Sequence, residues 1–161
     1  MSRWMRINLV LALLAGALLI IDRWPVPTGT RADRLTTLAV ATIDRVRVER
    51  DGREVLALVR DGHGWRLSHP TKGPANTSRV AQLLAVADAD VAFRFPAAGR
   101  DAEFGLARPA AMLQLDDTRL LFGDRDPTQR ARYVRVDDSI CVIDELYFHL
   151  LSLPATHFAG P

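Results

Sequence analysis

Residues 43–67 read IDRVRVERDGREVLALVRDGHGWRL, and this stretch decides the fold. In 43–49, Val46 and Val48 alternate with Arg45 and Arg47, the period of a strand with one apolar face. Asp51-Gly52 follows, a dipeptide whose two positions both tolerate a positive φ, as a two-residue hairpin turn requires. Residues 54–60, EVLALVR, are apolar on both faces, which predicts a central strand. Asp61-Gly62-His63-Gly64 makes a second turn and leads into a third strand at Trp65-Arg66-Leu67. Three strands joined by two tight turns form a meander.

Downstream, Asn76, Thr77 or Ser78 can cap a helix, and Val80, Leu83, Leu84 and Ala87 recur at helical spacing to give it one apolar stripe. Residues 91–95 read as a strand closed by Pro96. Phe104-Gly105-Leu106 with Pro109 forms an elbow, where Gly105 supplies a positive φ and Pro109 forbids helix. Strands are expected at 112–115, 119–122, 133–136 and 140–143. Asp116-Asp117 and Asp137-Asp138-Ser139 sit at the turns between them. Residues 145–151 form a short closing helix. The class is α+β, a mostly antiparallel sheet with one main helix packed on it.

Upstream lies INLVLALLAGALLII, residues 7–21, in which Asn8 is the one polar side chain. Trp4 and Trp24 flank it, with Arg3 and Arg6 before and Asp22 and Arg23 after. A membrane-spanning helix needs about 20 apolar residues, and the distance from Trp4 to Trp24 meets that need with interfacial tryptophans at both rims. Residues 1–24 are therefore expected to be a transmembrane signal anchor, 25–42 a linker and 43–161 a soluble domain. Pro25, Pro27, Thr28, Gly29 and Thr30 suit a turn-rich exit. The rival is a cleaved signal peptide cut at Ala15-Gly16-Ala17, but Leu18-Leu19-Ile20-Ile21 carries the apolar run past that point. No Cys follows the run, which argues against a lipid anchor. Arg3 and Arg6 favour a cytoplasmic N-terminus, although Arg23, Arg31 and Arg34 nearly balance them. The simpler topology is a single-pass protein of the cytoplasmic (inner) membrane whose C-terminal domain is periplasmic or otherwise extracytoplasmic.

Basic and acidic residues nearly match, 21 against 19, for a net charge of +2. Lys72 is the only lysine. Arginine richness by itself suits phosphate or nucleic-acid binding, but interspersed acids favour a codon preference, and no nucleic-acid partner is expected. Cys141 is the only cysteine, so an internal disulfide is excluded. There is no internal repeat and no low-complexity tract.

The punctuating residues fall in a recognisable order. Trp65-Arg66-Leu67 with Pro70, Pro74-Ala75-Asn76, and Val80 with Leu83-Leu84 resemble the first half of the domain of unknown function 4340 family. Phe104-Gly105-Leu106 with Pro109, Phe122-Gly123 and Arg132-Tyr133-Val134 resemble its second half. The resemblance covers about 43–158 and departs at Asn76, where the family more often carries Asp; either residue caps a helix. It implies a membrane-anchored or exported bacterial protein, in some cases associated with ABC-type transport systems or gliding-motility-like components. It supplies no catalytic residue to carry over. Trp65 and Phe104 read as core anchors, Gly105 and Gly123 as backbone turns, and Tyr133 as a strand residue with a polar tip to satisfy.

Candidate chemistry is sparse. His63, His69, His149 and His157 lack the spacing of a zinc motif. Asp116-Asp117, Asp124 with Asp126, and Asp137-Asp138 lack calcium-loop spacing, and adjacent acids in turns more often bond their own backbone. No nucleophile elbow, Walker loop or dinucleotide fingerprint is present. Cys141, between Ile140 and Val142, suits an inert buried thiol. Arg125, Arg130, Arg132 and Arg135 form the densest basic stretch and are the candidate partner-binding residues; the competing reading is a solvated strand face neutralised by Asp124, Asp126 and Asp137. The expectation is a noncatalytic, membrane-tethered accessory or scaffold domain that binds an envelope protein partner, with no cofactor and no metal. The alternative is an exported enzyme or small-ligand binder at the membrane surface. An exposed apolar patch or free sheet edge favours the first, and a polar cleft with converging titratable groups the second.

Overall fold

The computed structural model describes residues 33–161, so the expected anchor at 1–24 and the first part of the expected linker lie outside the described residues. Among the described residues no helix is long and apolar enough to cross a membrane. Among the described residues ten strands form one sheet. They are β1 (Asp33–Arg34), β2 (Arg45–Arg50), β3 (Arg53–Asp61), β4 (Gly64–His69), β5 (Gly73–Pro74), β6 (Asp90–Pro96), β7 (Ala111–Leu115), β8 (Thr118–Arg125), β9 (Ala131–Val136) and β10 (Ser139–Asp144). The α-helices among the described residues are α1 (Thr77–Leu84) and α2 (Leu146–Ser152). The order across the sheet is β1-β6-β10-β9-β8-β7-β2-β3-β4-β5. Every neighbouring pair is antiparallel.

The meander β2-β3-β4 forms where the turn chemistry places it. Asp51 and Gly52 take φ of 51° and 72°, the left-handed pair that matches the strands' own twist. Asn76 caps α1 by accepting the Arg79 N–H at 3.2 Å, and Val80, Leu83 and Leu84 face inward. The helical stripe continues into a 3-10 turn, Ala85–Asp88, that buries Val86 and Ala87.

Period-two alternation sorts the sheet into two faces. Val46 and Val48, Leu56 and Leu58, Trp65 and Leu67, Leu113 and Leu115, Leu120 and Phe122, and Val134 and Val136 share one core with α1 and Leu151 of α2. The opposite face carries a smaller core of Ala97, Leu106 and Ile140, with Phe95, Phe104, Leu121 and Tyr133 packed around it. The segment between β6 and β7 supplies its lid, through Phe104 and Leu106. Phe104 stacks between Phe95 and Tyr133, with ring centroids 5.4 and 4.6 Å away.

Two expectations need adjusting. Residues 33–42, expected to be the end of the linker, pack as part of the domain. Arg34 lies in β1, Leu35 and Ile43 are each 1% exposed, and the Leu35 and Thr36 N–H groups donate to the Ala89 and Ala87 carbonyls. The strand expected to be central, β3, has hydrogen-bonded neighbours on both sides but only one covered face. Leu56 and Leu58 are buried, whereas Ala57 is half-buried and Val59 is 40% exposed.

Candidate functional site

The four arginines singled out by density do not share a surface. Arg132 has the parity of Val134 and Val136 and so points to the helix side. There its guanidinium meets the Glu145 carboxylate with two bonds of 2.9 Å, lies 3.6 Å from the centroid of the Phe148 ring and donates to the Gly123 carbonyl. Arg135 lies on the opposite face, donating to the Asp101 carboxylate and, at 3.0 Å, to the Asp137 carbonyl. Arg125 and Arg130 flank the exposed loop between β8 and β9. Among the described residues neither forms an ion pair. The structure thus makes Arg132 and Arg135 internal fastenings and leaves Arg125 and Arg130 as outward charges at one hairpin tip.

The paired acids act on backbone. Asp116 accepts the N–H groups of Asp44 and Arg45 at 3.2 and 2.9 Å, tying the β7–β8 turn to the start of β2. Asp126 accepts the Thr128 hydroxyl at 2.6 Å and its N–H at 2.8 Å, and the Tyr133 hydroxyl at 3.1 Å. The Thr128 bonds, with that from Tyr133, hold its carboxyl below the usual range. Burial first, and then the bond to Asp126, pushes the Tyr133 phenol up. Tyr133 therefore satisfies its polar tip inside its own hairpin.

His63 sits in the turn that Asp61 closes by accepting its N–H at 2.8 Å. His69 lies 3.9 Å from Glu54, and His157 packs edge-on against Phe158. Among the described residues no three His, Cys, Asp or Glu side chains converge as metal ligands would. Cys141 is fully buried, and desolvation pushes its thiol up to about 11 against the opposing pull of Arg94.

The glycines of the resemblance have a shared task. Gly105 takes φ of 68°, and a Cβ there would overlap the Asp124 carboxyl group. A Cβ on Gly123 would overlap the Phe104 carbonyl oxygen. The elbow at 104–106 and the β8 backbone at 123–124 are thus pressed together, which sets Leu106 and Phe104 over the smaller core.

What density of charge did not reveal is a trough on the uncovered face of β7-β2-β3-β4. Its floor is made of Ala57, Val59, Ser68 and Gln114, it is flanked by Arg45 and Arg47, and its hollow is about 170 Å³. The signal for it was present in EVLALVR, whose second apolar face has no cover among the described residues.

A family model described as "Domain of unknown function (DUF4340)" matches residues 65–159, more than half of the chain. No curated protein and no solved structure matches it significantly.

Proposed function

We propose, on the premise that the chain belongs to the DUF4340 family, that it is a noncatalytic accessory domain. On this reading it is held at the inner membrane by residues 1–24 and works by contact with another envelope protein. One observation carries the reading: four of the ten described strands, β7-β2-β3-β4, have an open face on which an apolar side chain, Val59, is 40% exposed. A one-sided antiparallel sheet ordinarily turns polar residues to water, so apolar residues there favour a surface that is covered in use. A second exposed apolar residue adds support. Phe93 of β6 is 61% exposed, and β1 pairs only with Val91 and Asp90 of that strand among the described residues.

The titratable groups support a contact protein in another way. Asp116, Asp126, Arg132 and Glu145 are committed to turns and internal pairs, where a reaction would need them free to meet a substrate. Arg125 and Arg130 remain available to an acidic partner. Tethering raises the effective concentration of a weak surface, to about the millimolar range for short linkers, so modest affinity suffices. The test is mild-detergent extraction of the full chain with chemical crosslinking. A membrane protein recovered in constant proportion, and crosslinked to this domain, is expected. Turnover of a small substrate, abolished by one Asp, His or Cys substitution, would overturn the reading.

A further inference from the structure

We infer that the open face of β7-β2-β3-β4 is the docking surface, and that its occupant is an acidic, partly apolar segment of the partner protein. This deepens the contact reading above and rests on it. The geometry follows from the register. Arg45 stands opposite Val59, and Val59 opposite Arg66. Arg47 stands opposite both Gln114 and Ala57. With neighbouring strands about 4.8 Å apart, Arg45 and Arg66 rise on either side of Val59 about 10 Å from each other. Small side chains at Ala57, Val59 and Ser68 keep the floor low between them. The result is a shallow floor in which Ala57 and Val59 lie beside the polar Ser68 and Gln114, bordered by guanidinium groups.

Charge selects the occupant. Arg45 makes no ion pair among the described residues. Arg47 pairs with Glu54 at 2.8 Å and Arg66 approaches Asp61 at 3.6 Å, yet both side chains keep more than half their surface exposed, 52% and 57%. Asp116, in the trough lining, spends its carboxylate on the backbone N–H groups of Asp44 and Arg45, and Asp117 is an exposed acid at the rim. Carboxylates of a partner would meet Arg45, Arg47 and Arg66, and its apolar side chains would cover Val59 and Ala57. Arginine suits this role because its planar fork binds carboxylates with two parallel bonds.

The test uses the full chain in detergent and two fluorescent decapeptides, one alternating Glu and Val and the other Lys and Val, followed by fluorescence anisotropy. The Glu peptide should bind saturably and the Lys peptide should not. Arg45→Ser with Arg47→Ser should weaken binding about tenfold, or about 1.4 kcal/mol, and Val59→Glu should do the same by a different route. An unchanged unfolding midpoint shows each variant still folds. Equal binding of both peptides, no binding of either, or retention of affinity in the Arg45/Arg47 variant would overturn the inference. If the wild type still crosslinks to a membrane protein in any of those cases, the contact reading survives and only this face is wrong.

Discussion

Arg132 grips Glu145 with two parallel bonds, Nε to Oε2 and Nη2 to Oε1, both 2.9 Å long. The two side chains are only 12% and 14% exposed, and the guanidinium also covers the Phe148 ring. The pair fastens β9 to the entry of α2, so the closing helix is held by chemistry as well as by packing.

Arg132→Ala should therefore cost about 2–3 kcal/mol, the range for losing bonds to a charged group and leaving its partner poorly solvated. Glu145→Gln should cost less, since the amide still accepts one bond. The double variant should cost less than the sum, because the two residues share one interaction. Urea denaturation of residues 30–161 measures all three. Arg125→Ser and Arg130→Ser, at exposed positions, should stay within about 0.5 kcal/mol of the parent.

Gly123→Ala should be among the most damaging small substitutions. The added Cβ overlaps the Phe104 carbonyl oxygen, which belongs to backbone and cannot rotate away. A loss of about 3 kcal/mol is expected, the upper part of the usual overpacking range. Gly52→Ala makes the contrast: its φ is 72° but nothing stands within 4 Å. Only the left-handed backbone penalty applies there, about 1 kcal/mol. Equal losses at the two positions would mean that the elbow does not press on β8.

Trp65→Ala should destabilise by about 3–5 kcal/mol. Trp65 is 7% exposed and belongs to the main core. The Arg60 guanidinium also stacks 4.8 Å from its ring centroid. Chemical denaturation decides this, and a loss under about 1 kcal/mol would mean that the indole is not packed as described.

Local chemistry made most of the fold legible. Val46 and Val48 carry the strand period, Asp51-Gly52 the turn, and Asn76 with Val80 and Leu83 the capped helix, each within a few residues. The two-residue strands β1 and β5 are too short to show any period. The pressure between Gly123 and Phe104 joins positions far apart in the chain, and no local pattern announces it. The arginine stretch is the instructive case. Counting charges grouped Arg132 with Arg135, whereas strand parity places Arg132 with Val134 and Val136 and therefore on the other face. The same parity, applied to Ala57 and Val59, marks the open trough. For the site, then, residue period carried more information than residue density.

Cys141 gives the stability a defined alkaline limit. The thiol is fully buried, and desolvation, opposed by Arg94 and assisted by Asp33, pushes it up to about 11. In the unfolded chain it ionises near its ordinary value of about 8.5. Between those values the native state keeps a proton that the unfolded state has lost, so stability falls as pH rises. The stabilisation is complete below about pH 8.5 and exhausted near pH 11, a loss of about 3–4 kcal/mol at about 1.4 kcal/mol per pH unit. Tyr133, whose phenol is also raised, adds a decline of the same sign at the alkaline end. Cys141→Ala should therefore lower stability at neutral pH through the small cavity it leaves, yet flatten the fall between pH 9 and about pH 10, where Tyr133 contributes least. Urea midpoints of the two proteins across that window make the comparison. An undiminished slope in Cys141→Ala would show that the thiol is not held protonated by its burial.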